Sequence, residues 1–166
     1  MKLSDYQARA LETALPTALT PDYLVPMIVG EVGELFGALA KSVRDEWDEE
    51  RTCKTLTKEY GDVAWGVALL AKHYGFARLD RWVTEYDLPT RKDFLYFLLR
   101  DAESLVHISQ DENAIPEMQI KHLWWNLEDN CKMVTGSSFD EVLEANLAKL
   151  ADRKDRGVIS GSGDER

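Results

Sequence analysis

The sequence predicts a single all-α domain, and three observations lead to that prediction. Apolar residues recur at helical spacing through almost the whole chain. Residues typical of helix ends, such as Pro16, Pro116 and Ser138, separate these periodic segments. A length of 166 residues suits one compact domain with a buried core. We therefore predict one domain over residues 1–156, followed by a flexible Gly/Ser-rich tail at residues 157–166.

Three helices are predicted in the first half of the chain. An amphipathic segment covers residues 4–15, and the next helix begins near residues 20–22, where a threonine precedes a proline. A third helix over residues 56–74 ends before Gly75, a typical stop residue. The apolar stripes of the last two follow the helical period: Leu24, Ile28, Val32, Leu35, Leu39 and Val43, then Leu56, Tyr60, Val63, Val67, Leu70 and Tyr74.

The second half of the chain contains three further predicted helices. An irregular connection at residues 76–90 leads to helices at about 91–109 and 117–134. The last helix opens at Ser138, and Glu141 three residues later completes a capping box. Trp124 and Trp125 lie in the predicted helix at about 117–134. They are predicted to be core or subunit-interface aromatics rather than base-stacking residues.

Two pairs of carboxylates make a metal site the leading functional hypothesis. Glu31 and Glu34 lie three residues apart on one predicted helix, and Glu59 and Asp62 have the same spacing on the next. Side chains at i and i+3 lie one turn apart on the same side of a helix, so each pair can share a cation. Two facing helices would supply four oxygen ligands, which Mg²⁺ and Mn²⁺ prefer.

Small residues accompany both pairs and predict close approach of another group. The first helix carries Gly30, Gly33, Gly37 and Ala40, and the second carries Gly61, Ala64 and Ala68. Glycine inside a helix costs about 1 kcal/mol relative to alanine, so these positions need compensation from packing or from a ligand. We therefore expect both small-residue faces to be packed, with the carboxylates between them.

The last helix supplies the positive charge that a phosphorylated ligand requires. Asn146, Lys149 and Arg153 recur at i, i+3 and i+7, so they project from one narrow sector beside the apolar face. Lysine and arginine near a helix end can simply complement the helix dipole. Beside a metal site, however, this sector favours phosphate binding. A weaker alternative role for the tail at residues 157–166 is closure over a bound nucleotide.

Composition excludes several other classes of protein. The formal net charge of −10 at pH 7 argues against binding along a long nucleic acid, because such binding needs clustered Lys and Arg. We find neither an apolar run of membrane-spanning length nor a secretory leader, which predicts a cytoplasmic protein that does not act at a membrane. The two cysteines, Cys53 and Cys131, lie in no metal-binding pattern and are predicted to be reduced thiols.

Three motifs in a specific order resemble those of the MazG-type nucleoside triphosphate pyrophosphohydrolases. They are Gly30-Glu-Val-Gly-Glu-Leu-Phe-Gly-Ala-Leu-Ala-Lys41, Lys58-Glu-Tyr-Gly-Asp-Val-Ala-Trp65 and Asn146-Leu-Ala-Lys-Leu-Ala-Asp-Arg153. The opening Leu3-Ser-Asp-Tyr-Gln7 is also similar to the start of many small members. The resemblance covers residues 1–76 and 138–166.

The resemblance implies an all-α, four-helix core of the MazG type, with two additional helices inserted before the last core helix, at about residues 77–137. It implies a homodimer, or a dimer of dimers, that converts a nucleoside triphosphate to its monophosphate and pyrophosphate. The positions that match Mg²⁺ ligands are Glu31, Glu34, Glu59 and Asp62. The positions that match the family's final-helix motif, which implies contacts to substrate, are Asn146, Lys149 and Arg153. Lys41 matches a lysine that lies one to two turns beyond the first carboxylate pair.

The same chemistry follows from the residue types. Hydrolysis at an α-phosphorus needs neutralised phosphate charge and a polarised water, which Mg²⁺ or Mn²⁺ supplies. Either Glu31 or Glu34 serves as general base, and Trp65, Tyr23 and Trp47 are candidate walls of the nucleotide pocket. Base and sugar preference and the number of metal ions stay open. Some relatives carry a further Glu where this chain has Gly30, and this departure bears on the number of metal ions and on the identity of the general base.

Two other functions are alternatives to metal-dependent nucleotide hydrolysis. The main rival is a non-enzymatic nucleotide- or metal-binding helical dimer, which pyrophosphate release would exclude. A carboxylate-bridged di-iron bundle should carry Glu-x-x-His on two helices, and the sequence contains no such motif.

The role of the inserted helices stays open among a dimer interface, a lid and the binding of a partner. A bacterial origin and a phage origin, with action in the host cytoplasm, both fit.

Overall fold

The computed structural model describes residues 1–81, 88 and 90–158, and within them every regular element is helical. The elements are α1 (Leu3–Leu11), a 3₁₀ turn (Pro16–Ala18), α2 (Pro21–Arg44), α3 (Glu49–His73), α4 (Arg91–Ser109), α5 (Glu117–Thr135) and α6 (Phe139–Asp155). The predicted all-α class is confirmed. Most of the predicted tail, residues 159–166, lies outside the described part of the chain, and so does its predicted closure over a nucleotide.

Local capping explains where several helices begin and end. The Asp48 side chain accepts a hydrogen bond of 2.7 Å from the Arg51 backbone N–H, so α3 begins at Glu49, well before the predicted residue 56. The predicted capping box is present: Ser138 and Glu141 satisfy each other's backbone N–H groups at the start of α6. Helix α1 ends at Leu11 rather than at residue 15.

The core surrounds α3, which packs against α1, α2, α5 and α6. Tyr60 on α3 is fully buried, donates a hydrogen bond of 2.6 Å to the Leu127 carbonyl of α5, and stacks on Phe94 of α4. Trp124 and Trp125 of α5 are buried, as the core alternative for these aromatics predicts. The two helices of the predicted insert are therefore part of the same core as the carboxylate helices.

Two side chains of the opening motif form hydrogen bonds that join helix α1 to α3 and α6. The Gln7 side-chain amide donates hydrogen bonds of 3.0 and 2.9 Å to the carbonyls of Ala68 and Phe76. Tyr6 is fully buried, and its hydroxyl donates a hydrogen bond of 2.9 Å to Asn146 Oδ1. These buried contacts give a structural reason for Tyr6 and Gln7 in the Leu3-Ser-Asp-Tyr-Gln7 sequence.

The two small-residue faces have different surroundings. An added Cβ at Gly61 of α3 would lie 2.9 Å from Asn146 Cβ, so this glycine permits the close approach of α6. A Cβ added at Gly30, Gly33 or Gly37 of α2 would have no atom within 4 Å among the described residues, apart from the backbone of its own helix. Among the described residues no other helix therefore covers this face of α2, because the neighbouring helices contact its opposite, apolar side. Cover from a ligand or from a second copy of the chain stays a prediction.

Helix α2 also differs from two other expectations. Val43, placed on its apolar stripe by sequence, is 75% exposed because the last turn of the helix extends beyond the core. Residues Pro21–Arg44 are long and apolar enough to cross a membrane, contrary to the sequence-based expectation, but a core helix of a soluble protein has the same properties. Helix α2 buries its apolar stripe against α3 and α4, as a core helix of a soluble helical protein does.

The two cysteines are free thiols, as predicted. Cys131 is buried, and burial raises the pKa of its thiol to about 11. Cys53 is half-buried and contacts Arg91 and Glu49, and burial again raises the thiol pKa. Neither thiol is therefore activated as a nucleophile.

Candidate metal centre

The two predicted carboxylate pairs lie opposite each other on the α2–α3 hairpin. The connection at residues 45–48 is short, so the two helices run antiparallel and pack side by side. Glu34 and Glu59 are equally far in sequence from this connection, and so are Glu31 and Asp62. Each carboxylate on α2 therefore lies at the height of a carboxylate on α3.

Three of the four predicted ligands form a compact group. One carboxylate oxygen from each of Glu31, Glu34 and Glu59 lies within 4.8 Å of the others. Glu34 is exposed, whereas Glu31 and Glu59 are half-buried. Carboxylate oxygens are the ligands that Mg²⁺ and Mn²⁺ prefer, and exposure on one side leaves room for water and phosphate oxygens. The donor set thus fits a divalent cation.

Asp62, the fourth predicted ligand, is held by α6. Lys149 Nζ lies 2.7 and 2.6 Å from the two carboxylate oxygens of Asp62, and Asn146 Nδ2 donates a hydrogen bond of 2.8 Å to Oδ1. Asn146 is itself oriented by the buried hydroxyl of Tyr6. The motif on the last helix therefore contacts the second carboxylate pair directly, through a chain of buried and half-buried polar groups.

The electrostatics of the site are dominated by negative charge. Burial raises the pKa of Glu31 to about 8, and the nearby charges of Asp62, Glu34 and Glu59 add to this increase. Lys149 acts in the opposite direction, because its positive charge favours the ionised carboxylate. A cation stabilises ionised carboxylates that lie close together, so the charge distribution agrees with the donor geometry.

A pocket of about 210 Å³ opens beside the carboxylates. The four carboxylates line one part of it, and residues from the segment between α1 and α2 complete the wall together with α2, α3 and α6. Its larger side chains are Leu15, Tyr23, Met27, Trp65, Leu150 and Arg153. This combination of acidic and apolar walls suits a ligand with one charged end and one flat, apolar end.

Trp65 has a polar atom without a partner. The residue is only 8% exposed, and its Nε1–H forms no hydrogen bond within the described ranges. A buried indole N–H normally has an acceptor, and this nitrogen has almost no exposed surface through which a ligand could supply one. Other atoms of Trp65 line the pocket, so the sequence-based choice of Trp65 as a pocket wall is consistent with its position.

Lys41 lies in a different place from the other predicted substrate contacts. It lines a groove of about 660 Å³ with Trp47 and the glycines of α2, whereas Lys149 and Arg153 line other grooves. Glu34 and Glu59 border the Lys41 groove as well. The carboxylates thus border three recesses in the described part of the chain. Lys149 or Arg153 of α6 lines two of them, and Lys41 lines the third.

Two residues near the site were not identified from the sequence. Tyr6 orients Asn146, and Lys58 lines a groove with Glu59, Asp62 and Lys149. Lys58 directly precedes Glu59, so its proximity could have been suspected. The role of Tyr6 had no comparable signal, because its partner is far away in sequence.

Comparisons with protein-family models, with curated proteins and with solved structures yield no match for this chain. Any functional conclusion therefore depends on the residues and the geometry described above.

Proposed function

We propose that this protein is a divalent-metal-dependent nucleoside triphosphate pyrophosphohydrolase of the MazG type. The observation that carries the proposal is the position of the Glu31, Glu34 and Glu59 oxygens beside an aspartate held by Asn146 and Lys149. Acidic ligands for a cation adjoin cationic side chains for phosphates, and both adjoin a pocket with acidic and apolar walls.

The carboxylates of both helices would hold Mg²⁺ or Mn²⁺. Glu31, Glu34 and Glu59 are near enough to one another to share a cation, and Asp62 can join them if Lys149 moves from it to a phosphate. A divalent cation at this position neutralises phosphate charge and makes water a better nucleophile. Because Lys149 balances the charge of Asp62 in the metal-free protein, this exchange leaves neither residue with an unpaired charge.

The reaction divides among the residues as follows. A water oxygen forms a bond to the α-phosphorus, its proton passes to Glu31 or Glu34, and the bond from the α-phosphorus to the oxygen bridging the α- and β-phosphorus breaks. Pyrophosphate leaves with that bridging oxygen. Lys149 and Arg153 stabilise the negative charge that develops on the phosphates, and Asn146 donates a hydrogen bond to a phosphate or the sugar.

The pocket beside the carboxylates would accommodate the nucleoside. Tyr23, Met27, Leu150 and the ring of Trp65 supply apolar contact with the nucleoside.

The test is the release of pyrophosphate and of orthophosphate from the common NTPs and dNTPs, with Mg²⁺, with Mn²⁺ and with a chelator. We expect metal-dependent pyrophosphate together with the matching monophosphate. Orthophosphate as the first product would contradict the proposed position of bond cleavage. Binding of nucleotides without any product would instead support the non-enzymatic helical protein.

A further inference from the structure

A groove between α3 and α6 is lined by lysines from both helices. Its volume is about 430 Å³, and its lining residues are Lys54, Thr57, Lys58, Ala145, Asn146 and Lys149. No carboxylate is among these residues, although the chain has a formal net charge of −10. We call this recess the lysine groove. Most of its exposed surface is apolar. The charge that its lysines contribute is nevertheless positive, opposite to that of the protein as a whole, and favours an anionic occupant.

The lysine groove adjoins the candidate metal centre. A smaller recess of about 180 Å³ is lined by Lys58 and Lys149, which also line the lysine groove. The same recess is lined by Glu59, Asp62 and Arg153, which also line the pocket that contains Trp65. The three recesses thus follow one another along α3 and α6, and a ligand in the pocket at Trp65 would reach the lysine groove past the carboxylates.

Two of these lysines are not held in an ion pair by the described residues. Within the part of the chain that the structure describes, neither Lys54 nor Lys58 forms an ion pair, whereas Lys149 is paired with Asp62. Lys54 and Lys58 are one helical turn apart on α3, about 6 Å along its axis, so their positive charges repel each other. An anion between them would remove this repulsion and form charge-assisted hydrogen bonds with both.

We propose that the lysine groove binds the β- and γ-phosphates of the substrate and then the pyrophosphate that leaves. This inference rests on the proposed function, and it adds the direction in which the substrate lies. The nucleoside occupies the pocket at Trp65, the α-phosphate lies at the carboxylates, and the terminal phosphates lie along Lys149, Lys58 and Lys54. Because Lys54 is farthest from the carboxylates along α3, it contacts the γ-phosphate and favours triphosphates over diphosphates.

Direct binding of inorganic pyrophosphate tests the proposal without turnover. The full chain with Mg²⁺ is titrated with pyrophosphate in a calorimeter, and Lys54→Ala and Lys58→Ala are compared with the wild type. Lys72→Ala is the matched control, because Lys72 is an exposed lysine on the same helix and lines none of the three recesses. Thermal unfolding of each variant verifies that α3 is intact.

We expect Lys58→Ala to weaken pyrophosphate binding by about tenfold and Lys54→Ala by about threefold or more, because each loses a charge-assisted hydrogen bond. Lys58→Arg should restore most of the affinity, and Lys72→Ala should match the wild type. In turnover, Lys54→Ala should raise KM for triphosphates while leaving KM for diphosphates unchanged.

The proposal is overturned if the wild type fails to bind pyrophosphate, or if Lys54→Ala and Lys58→Ala bind it as tightly as Lys72→Ala does. Its failure can be distinguished from failure of the proposed function. Lysine-dependent pyrophosphate binding without any nucleotide hydrolysis would support the groove and refute the enzyme, whereas metal-dependent hydrolysis that is indifferent to both lysines would do the reverse.

Discussion

Helices α2 and α3 carry similar sequence patterns but have different surroundings. Each has a pair of carboxylates three residues apart and a set of small residues. On α3 the small residues are covered: Gly61 faces Asn146, and Gly66 faces Met27 and Ile28. On α2 the glycines Gly30, Gly33 and Gly37 have open space where a Cβ would be.

This difference shows that a helical pattern predicts a face without predicting what covers it. The free-energy cost of glycine in α3 is offset by close packing, whereas in the described residues the same cost in α2 has no such offset. The carboxylates of the two helices also differ in their surroundings. Asp62 on α3 is bound by Asn146 and Lys149, whereas Glu31 on α2 lies among other carboxylates and has a raised pKa.

The largest expected effect tests whether both helices contribute to one site. Glu31→Gln on α2 and Glu59→Gln on α3 should each lower metal-dependent pyrophosphate release by about two orders of magnitude or more, because each removes a ligand charge at nearly constant shape. The measurement is kcat at saturating metal, with circular dichroism to verify folding. A wild-type rate in either variant would restrict the site to the other helix.

A second prediction uses the raised pKa on α2. The pKa of Glu31 is about 8 in the metal-free protein and 4.5 ordinarily, so the folded chain binds this proton more tightly. Its contribution to stability is full below pH 4.5 and is lost as the pH rises through about 8. Since a cation must displace this proton, Mn²⁺ affinity should rise by up to about tenfold per pH unit and level off above that pKa.

Mn²⁺ binding can be followed by electron paramagnetic resonance between about pH 6 and pH 9. Glu31→Gln is the control, because it removes the titrating group and should flatten the dependence on pH. An affinity that is independent of pH in the wild type would contradict the proposed environment of Glu31.

A third prediction concerns the covered face of α3. Gly61→Ala would place a Cβ 2.9 Å from Asn146 Cβ and 3.1 Å from its Nδ2. The overpacking should lower the free energy of unfolding by about 1–3 kcal/mol, measured by urea denaturation, even though alanine favours helix. Because Asn146 would shift away from Asp62, activity should also fall. Stability at or above that of the wild type would mean that α6 moves away at little cost.

The smallest effect is expected at the open face of α2, and its sign is opposite. Gly33→Ala adds a methyl group where no atom lies within 4 Å, so it should raise the free energy of unfolding of the monomer by about 0.5–1 kcal/mol. Sedimentation velocity should accompany the denaturation experiment. If the glycine face of α2 is the contact between two copies in the expected homodimer, the same substitution will weaken the dimer instead.

The candidate site was predictable from sequence to the extent that it depends on helical geometry. The spacing of Glu31–Glu34 and Glu59–Asp62 places each pair on one side of a helix, and a short hairpin then brings the pairs together. The partner of Asp62 was not predictable, because Lys149 is distant in sequence and reaches it only through the packing of α6 on α3. The lysine groove was not predictable from sequence for the same reason.

The sequence alone determined the all-α class, the capping box at Ser138 and the two carboxylate pairs. These features depend on residues within one or two turns of each other, where helical geometry sets the distances. Only the tertiary structure decided that α3 is central, that the glycines of α2 are uncovered, and that Lys41 lies apart from Lys149. Such features depend on which of several apolar and small faces pack together, and local periodicity is the same for each choice.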